Sequence, residues 1–265
     1  MAESRLDAAL AARGLARSRS HAVALITAGK VTVDGTPVLK ASRAVREEQS
    51  IEVAEADHYV SRAAHKLLAA LDGFGVDPAG RLALDLGAST GGFTQVLLER
   101  GAKAVIALDV GHGQLAGSIR SDPRVHVIEG CNARELTAPL LAQLSGVSEV
   151  PDLVVADLSF ISLKQVLPAM LATAGPDADF MLLIKPQFEV GRGGIREGIV
   201  RDPALRADAV AEVLWAAWDL GLPTAGLLPS PIAGSAGNRE ALLWLSTRRG
   251  GNPTEWSEQI AASTA

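Results

Sequence analysis

The 265-residue chain has one cysteine, Cys131. A single thiol can form no intrachain disulfide and cannot build a cysteine-based metal site, so no metal is expected. No apolar run approaches the roughly 18 residues that span a bilayer. The polar start, Met1-Ala2-Glu3-Ser4-Arg5, lacks the apolar centre of a secretion signal. No membrane contact is expected, and a cytoplasmic location is the economical expectation. Internal repeats and low-complexity segments are absent as well. The dinucleotide pattern G-x-G-x-x-G is missing, and no Gly-Lys-Ser/Thr follows a glycine turn, which disfavours a phosphate cradle. What remains is an ordinary globular composition, 48% hydrophobic and 21% charged, able to bury a real core.

One stretch stands out. Leu82 to Leu86 is a short apolar run containing Asp85. It leads into Gly87-Ala88-Ser89-Thr90-Gly91-Gly92-Phe93 and then an apolar helical pattern through Val96, Leu97 and Leu98. Strand, tight loop and helix start form the first step of a nucleotide-binding α/β sheet. Glycines 87, 91 and 92 permit a sharp turn and a close ligand approach to the main chain. D-L-G-x-x-x-G-G-F is the usual form of a loop that binds S-adenosyl-L-methionine. A glycine turn in some other α/β protein stays open at this point.

Charge is unevenly spread. Eight basic residues face three acidic ones between Met1 and Arg46, a net +5, so the remainder carries −10. A basic module on an acidic body points to a polyanionic partner. Arg5 to Arg13 reads as a helix closed by Gly14. Ser18 is placed to cap a second, with Ala22, Leu25 and Ile26 inward and Gly29 at its end. Lys30 to Val33 alternates as a strand, and Asp34-Gly35 is a hairpin signal. Arg5-Leu6-Asp7, Leu15-Ala16-Arg17-Ser18-Arg19, Leu25-Ile26, Gly29 and Val33-Asp34-Gly35 together resemble the S4 RNA-binding fold. Arg5, Arg17, Arg19, Lys30, Lys40 and Arg62 are the candidate RNA contacts, made mainly with phosphates. A basic oligomerisation module is the alternative. The module is expected over residues 1–57, a linker over 58–62, and a larger domain over 63–265. Ser61 is read as the cap of a helix that stops near Gly73.

The larger domain alternates strands and helices. Expected strands are Leu82–Leu86, Ala104–Asp109, Val125–Ile128, Leu153–Asp157, Phe180–Lys185, Leu222–Leu228 and Ala241–Leu245. The clearest helix follows Asp202-Pro203 and ends at Gly221. Trp256 and Ile260 are placed to dock a short last helix. The expected fold class is α/β, a seven-stranded Rossmann-like sheet with a small N-terminal α+β domain, its ligands at the carboxyl ends of the strands.

Polar residues at those ends carry the candidate chemistry. Asp109 stands where an acid commonly holds ribose hydroxyls, with a loop-capping role as the alternative. Asn132, beside Cys131, is placed to border an adenine, with a purely structural role as the alternative. Phe160 is placed to pack on a cofactor or a splayed base, with a core aromatic as the alternative. Asp157-Leu158-Ser159-Phe160 lacks the prolines usual in enzymes that methylate exocyclic amines. Lys185 abuts an apolar strand, a costly position unless it is paired. Desolvation and a nearby cation would favour its neutral, basic form. Lys66 is the candidate cation, Asp157 the orienting acid and Glu240 the fourth partner. Taken singly, each reads equally as a surface charge or a structural ion pair. The loop 189–201, with Arg192, Arg196 and Arg201, is either an RNA clamp or a solvated loop.

Lys, Asp, Lys and Glu in this chain order, behind an S4-like module, resemble the TlyA family of ribosomal RNA 2′-O-methyltransferases, whose catalytic half is similar to FtsJ-type enzymes. The resemblance runs through Ser61-Arg62-Ala63-Ala64-His65-Lys66-Leu67, Asp85 to Thr94, Asp109 to Leu115, Asp157 to Leu163, Lys185 to Glu189 and Gly237-Asn238-Arg239-Glu240. It implies a catalytic tetrad of Lys66, Asp157, Lys185 and Glu240. It also implies an S-adenosyl-L-methionine site at Asp85, Gly87, Ala88, Ser89, Gly91, Gly92, Phe93, Asp109, Asn132, Asp157 and Phe160. Cytidines of 16S and 23S ribosomal RNA in ribosomal subunits are the implied substrates, and the N-terminus with the tail beyond Arg249 looks more like members that modify both. The linker departs from mycobacterial-type members, with Tyr59 in place of a Trp. The rival readings are a non-catalytic ribosome-binding factor, a small-molecule methyltransferase and a membrane-damaging haemolysin, a name that TlyA-like proteins also carry.

Overall fold

A computed structural model describes residues 3–16, 18–53, 58–191, 194–234 and 237–264. The chain divides into two compact units, Met1–His58 and Tyr59–Ala265.

In the first unit, β1 (Glu3–Arg5) leads into α1 (Leu6–Ala12), then α2 (Arg19–Thr27), β2 (Val31–Val33), β3 (Thr36–Pro37), β4 (Ala44–Arg46) and β5 (Ile51–Val53). Ser18 caps α2 by accepting from the His21 amide, and the helix turns off before Gly29, as its sequence signals. Asp34 and Gly35 both take positive φ, 51° and 73°, the pair of values a tight β2–β3 hairpin needs. The Asp34 carboxylate also accepts from the Ser50 amide and the Gln49 side chain, fixing β5 beside β2. Leu6, Leu10, Ile26, Val31 and Val45 close the core. The two-stranded pairing of β1 with β4 has no clear sequence signal, because β1 is exposed throughout and β4 buries only Val45 in a strand of three residues.

The second unit begins with α3 (Ala64–Phe74), β6 (Leu82–Leu86), α4 (Gly92–Glu99), β7 (Ala104–Asp109), α5 (Gly117–Arg120) and β8 (Val125–Glu129). It continues with α6 (Ala138–Ser145), β9 (Leu153–Ala156), α7 (Leu167–Ala174), β10 (Asp179–Ile184) and α8 (Pro186–Glu189). Then come α9 (Pro203–Asp219), β11 (Thr224–Pro229), β12 (Ala241–Leu245) and α10 (Ser257–Thr264). The sheet order is β11-β12-β10-β9-β6-β7-β8. Strands β6 to β10 pair in parallel, and β12 pairs antiparallel with both β10 and β11. A parallel crossover needs a dozen or more residues, usually a helix. The link from Pro229 to Ala241 contains no helix among its described residues, so the chain turns back.

The strands are buried on both faces, and their side chains alternate between two cores. Leu82, Leu84, Phe180, Leu182 and Ile184 face α6, α7 and α9, whereas Ala83, Met181 and Leu183 face α3 and α4. Asp202 caps α9, with Pro203 in its first turn, as expected. Trp256 and Ile260 dock α10 against the core.

Several boundaries differ from the sequence reading by one or two residues, among them β11, which starts at Thr224 rather than Leu222, and three have a clear physical setting. The helix after the linker starts at Ala64, because Ser61 spends its side chain on the Ala63 amide in the preceding turn. It runs through Gly73 and closes at Gly75 (φ 67°); a Cβ at Gly73 would meet the Leu228 side chain at 2.5 Å, so packing sets that glycine. Strand β10 stops at Ile184, and Lys185 begins the turn into α8.

Arg206 is a buried cation on α9 that donates to the carbonyls of Thr264, Val200 and Arg201, tying α10 to the segment before α9. Arg206→Met leaves these carbonyls without their donor and is expected to destabilise the protein by about 2–4 kcal/mol. Urea denaturation measures it. A change below about 0.5 kcal/mol would mean that the three carbonyls find other partners.

Candidate active site

Four charged side chains converge where β9, β10 and β12 meet the start of α3. Lys66 Nζ lies 2.6 Å from Glu240 Oε2 and 3.9 Å from Asp157 Oδ2. Lys185 Nζ lies 2.6 Å from Asp157 Oδ1 and donates to Ser159 Oγ at 2.8 Å. Their side chains are 2–15% exposed. Two cations and two carboxylates balance, the condition under which buried charge is tolerated. Asp157 is shared, one oxygen to each lysine.

This ring borders three cavities. The largest, about 570 Å³, is lined by Arg62, Lys66, Phe160, Lys185, Gln187 and Glu240 among others. A second, about 160 Å³, lies against Gly87 to Phe93 and reaches Asp157 and Lys185. A third, about 440 Å³, runs past Asp109, Gln114, Cys131, Asn132, Phe160 and Ile161. The last two share Gly87 and Ser89, and both open beside β6 and β9, where the strand order reverses.

The glycine loop is shaped by close approach. Gly87 has φ 81°, and a Cβ there would sit 2.8 Å from the Asp157 carbonyl. At Gly92 a Cβ would lie 2.8 Å from that of Ser61. Asp109 holds the loop from the neighbouring strand, accepting from the Ser89 amide at 2.8 Å and the Gly111 amide at 2.7 Å. It is thus a loop cap that also lines the third cavity. Asn132 caps a short turn by accepting from the Arg134 amide and faces the same cavity. Phe93 is largely core, and Ala88 is buried. Asp85 is fully buried; Thr94 Oγ1 donates to one carboxylate oxygen at 2.6 Å, and the other oxygen has no partner. Burial, opposed by the Thr94 bond and aided by the nearby carboxylates of Asp157 and Asp109, pushes its pKa up to about 7. The glycine loop lines the second cavity with its backbone, over a buried carboxylate that has one orphaned oxygen, and this fits a nucleoside cofactor lying against main chain.

Sequence reasoning missed Ser159, Gln187, Glu189 and Asn238. Glu189 accepts from the Ser162 hydroxyl and the Leu163 amide, anchoring the segment after β9. Burial raises its pKa. Asn238 binds both the Gly198 carbonyl and the Val200 amide, tying the 196–200 turn to the strand entry that carries Glu240. Only adjacency to a candidate residue could have flagged any of them. Burial also pushes the Cys131 thiol up, which disfavours a nucleophilic role.

In the first unit, Arg5 and Arg19 both contact the Asp7 carboxylate, at 3.0 and 2.8 Å, and hold its pKa down at about 2. Lys40 is exposed and Lys30 half-buried. Arg17 and Arg192 lie outside the described residues. Arg201 pairs with Glu197, and Arg196 is exposed. Among the described residues no helix is long and apolar enough to cross a membrane, and no group of three or more acidic, His or Cys residues is placed to hold a metal.

These features define an α/β methyltransferase with an RNA-binding module. The family model for FtsJ-like methyltransferases matches residues 59–247, and the S4 domain model matches residues 4–51. The 16S/23S rRNA (cytidine-2′-O)-methyltransferase TlyA of Mycobacterium tuberculosis is 52% identical over 247 residues, 92% of this chain and 90% of that protein. Hemolysin A of Brachyspira hyodysenteriae is 39% identical over 90% of this chain and 98% of that protein. A solved structure from Streptococcus thermophilus is 34% identical, with a TM-score of 0.75, covering 99% of this chain and 96% of that one. The chain belongs to the TlyA family of S4-domain, FtsJ-like ribosomal RNA methyltransferases.

The raised Asp85 pKa has a signed consequence. Between the ordinary aspartate value of 3.8 and about 7, the folded protein keeps a proton that the unfolded chain has released. Stability therefore falls as pH rises through that window and levels off above it. Asp85→Asn is expected to flatten this slope in denaturation curves taken from pH 4.5 to 7. An unchanged slope in the variant would count against the assignment.

Proposed function

We propose that this protein transfers a methyl group from S-adenosyl-L-methionine to the ribose 2′-hydroxyl of a cytidine in 16S and/or 23S ribosomal RNA, acting on ribosomal subunits. The observation that carries this reading is the Lys66–Asp157–Lys185–Glu240 ring, set where the glycine-loop cavities meet the largest cavity. The name of the Mycobacterium tuberculosis relative supports the cytidine and the two RNAs.

When bound, the cofactor supplies an electrophilic methyl group on a positively charged sulfur. The chain does the rest. A ribose hydroxyl is a weak nucleophile, so it must be aligned and must lose its proton as the new bond forms. Lys185, in its neutral form, takes that proton; Asp157 fixes its position and stabilises the ammonium it becomes. Lys66, held by Glu240, places the oxygen. Asp85, Gly87, Ala88, Ser89, Gly91, Gly92 and Phe93 hold the cofactor's amino-acid end, Asp109 the ribose, and Asn132 and Phe160 border the base. Residues 1–57 supply RNA affinity through Arg5, Arg17, Arg19, Lys30 and Lys40, with Arg62 added at the mouth of the largest cavity. Residues 58–62 connect them to the catalytic part, 63–265. This assigns the protein to the cytoplasm, where its substrate resides.

Methylation of purified ribosomal subunits with radiolabelled cofactor tests the reading. Lys185→Ala is expected to lower the transfer rate about 10²–10⁴-fold while the cofactor Kd changes little. Mapping of 2′-O-methyl sites with and without the protein identifies the nucleotide. Undiminished transfer by the variant would remove Lys185 from the chemistry.

A further inference from the structure

The 2′-O-methyltransferase reading leaves one hydroxyl unused. Ser159 is the one residue that lines all three cavities at the site. Its Oγ accepts a hydrogen bond from Lys185 Nζ at 2.8 Å. Lysine is a compact charge on a flexible four-carbon stem, and its amine is free to rotate. A partner on one side, Asp157 at 2.6 Å, fixes the distance of Nζ from β9 but leaves the direction of its remaining N–H or lone pair open. A second acceptor at a fixed angle removes that freedom. The Asp157 contact is an ion pair without hydrogen-bond geometry, so the bond to Ser159 Oγ is what sets the direction of the amine, beside the 160 and 570 Å³ cavities that Lys185 itself lines.

The hydroxyl is itself held in place. Behind Ser159, the Asp157 carbonyl packs on Gly87 of the loop. Ahead of it, Phe160 takes a left-handed conformation, φ 64°, that few non-glycine residues adopt. The Phe160 ring rests on Phe188 at 5.3 Å, and Glu189 pins the Ser162 hydroxyl and Leu163 amide two and three residues further on. Backbone strain of this kind persists only where the surroundings over-determine it. Here it bends the chain directly after Ser159, whose exposed side chain nonetheless keeps its Oγ 2.8 Å from Lys185 Nζ. Lys185 immediately precedes α8, and Phe188 and Glu189 lie on that helix, so the segment that carries the amine also braces its positioning group.

We propose that Ser159 is a positioning residue for methyl transfer, orienting the Lys185 amine toward the acceptor hydroxyl. This rests on the assignment of Lys185 as the base. The proposal distinguishes Ser159 from its neighbours: Phe160 and Leu158 shape the cavity walls, whereas Ser159 acts through the amine it holds.

Full-length protein, ribosomal subunits and radiolabelled S-adenosyl-L-methionine provide the test. Ser159→Ala is expected to lower kcat about ten- to a hundredfold, within the range that a positioned proton-transfer group supplies. The KM for subunits and the cofactor Kd should stay within about twofold, since no binding contact is removed. In cofactor-free protein labelled with ¹³C-lysine, the Lys185 Cε resonance should move. Ser159→Thr, which keeps the hydroxyl, should restore most of kcat. A wild-type kcat and an unmoved resonance in Ser159→Ala would overturn the proposal. So would a rise in cofactor Kd that accounts for the whole loss, which would make Ser159 a cofactor contact. Lys185→Met run in parallel separates the two levels: activity retained there defeats the base assignment itself, whereas activity lost there but kept in Ser159→Ala defeats only the positioning role.

Discussion

The structure of the catalytic unit turns on a buried, balanced ring of charge. Moving a carboxylate or an ammonium out of water costs several kcal/mol each after relaxation, and only close pairing returns it. Lys66, Asp157, Lys185 and Glu240 achieve that pairing from four different places: helix α3, the end of β9, the end of β10 and the residue before β12. No local interaction could assemble them. The full ring closes only when β12, β10 and β9 lie side by side with the start of α3 against them, so it reports on that half of the sheet. The antiparallel course of β12 is part of this requirement. It brings the start of that strand, with Glu240, to the edge where the parallel strands end. A parallel β12 would carry Glu240 to the opposite edge of the sheet and leave Lys66 buried with only a distant partner.

The glycine loop is built to the same edge but by a different force. Its shape comes from backbone contacts and not from ion pairs. The Asp157 carbonyl leaves no room for a side chain at Gly87, and the turn before α3 leaves none at Gly92. Asp109 reaches across from β7 to hold the Ser89 amide. The loop is therefore held by β7, β9 and the segment before α3 without any ligand. Such preorganisation lowers the cost of ordering a site on binding. It also sets the loop against Asp157, so the residue that pairs with Lys185 is the one whose backbone packs on the cofactor turn. Under the proposed function, binding and chemistry share a single short segment.

The sequence makes this edge legible because its residues recur at strand ends. Apolar runs closing in Asp109, Asp157 and Lys185, and one that contains Asp85, mark both the strands and the site, and the capped helices at Ser18 and Asp202 are read from local chemistry alone. What is not legible depends on packing across the chain. Gly73 looks like a helix stop but is a contact with Leu228. Nothing near Ala241 signals that β12 runs backward. Ser159 resembles any serine in a loop until Lys185, 26 residues on, donates to it. Arg5 and Arg19 read as free cations until both are found on Asp7. In each case the deciding partner lies outside the window in which periodicity and capping operate.

That last pairing bears on how an acidic protein engages a polyanion. Beyond Arg46 the chain carries a net −10, so its average field repels RNA. Affinity must then come from local clusters of cations, and the repulsion elsewhere limits the orientations in which RNA can approach. Asp7 neutralises only one of two guanidiniums, and both arginines remain more than half exposed, at 54% and 62%. It holds two forked donors near each other while leaving a net positive charge. Fixing them beforehand lowers the entropy that a flexible arginine loses on gripping a phosphate. The two units thus use one device in different settings: a carboxylate bridging two cations, at Asp157 between two largely buried lysines, and at Asp7 between two guanidiniums that remain more than half exposed.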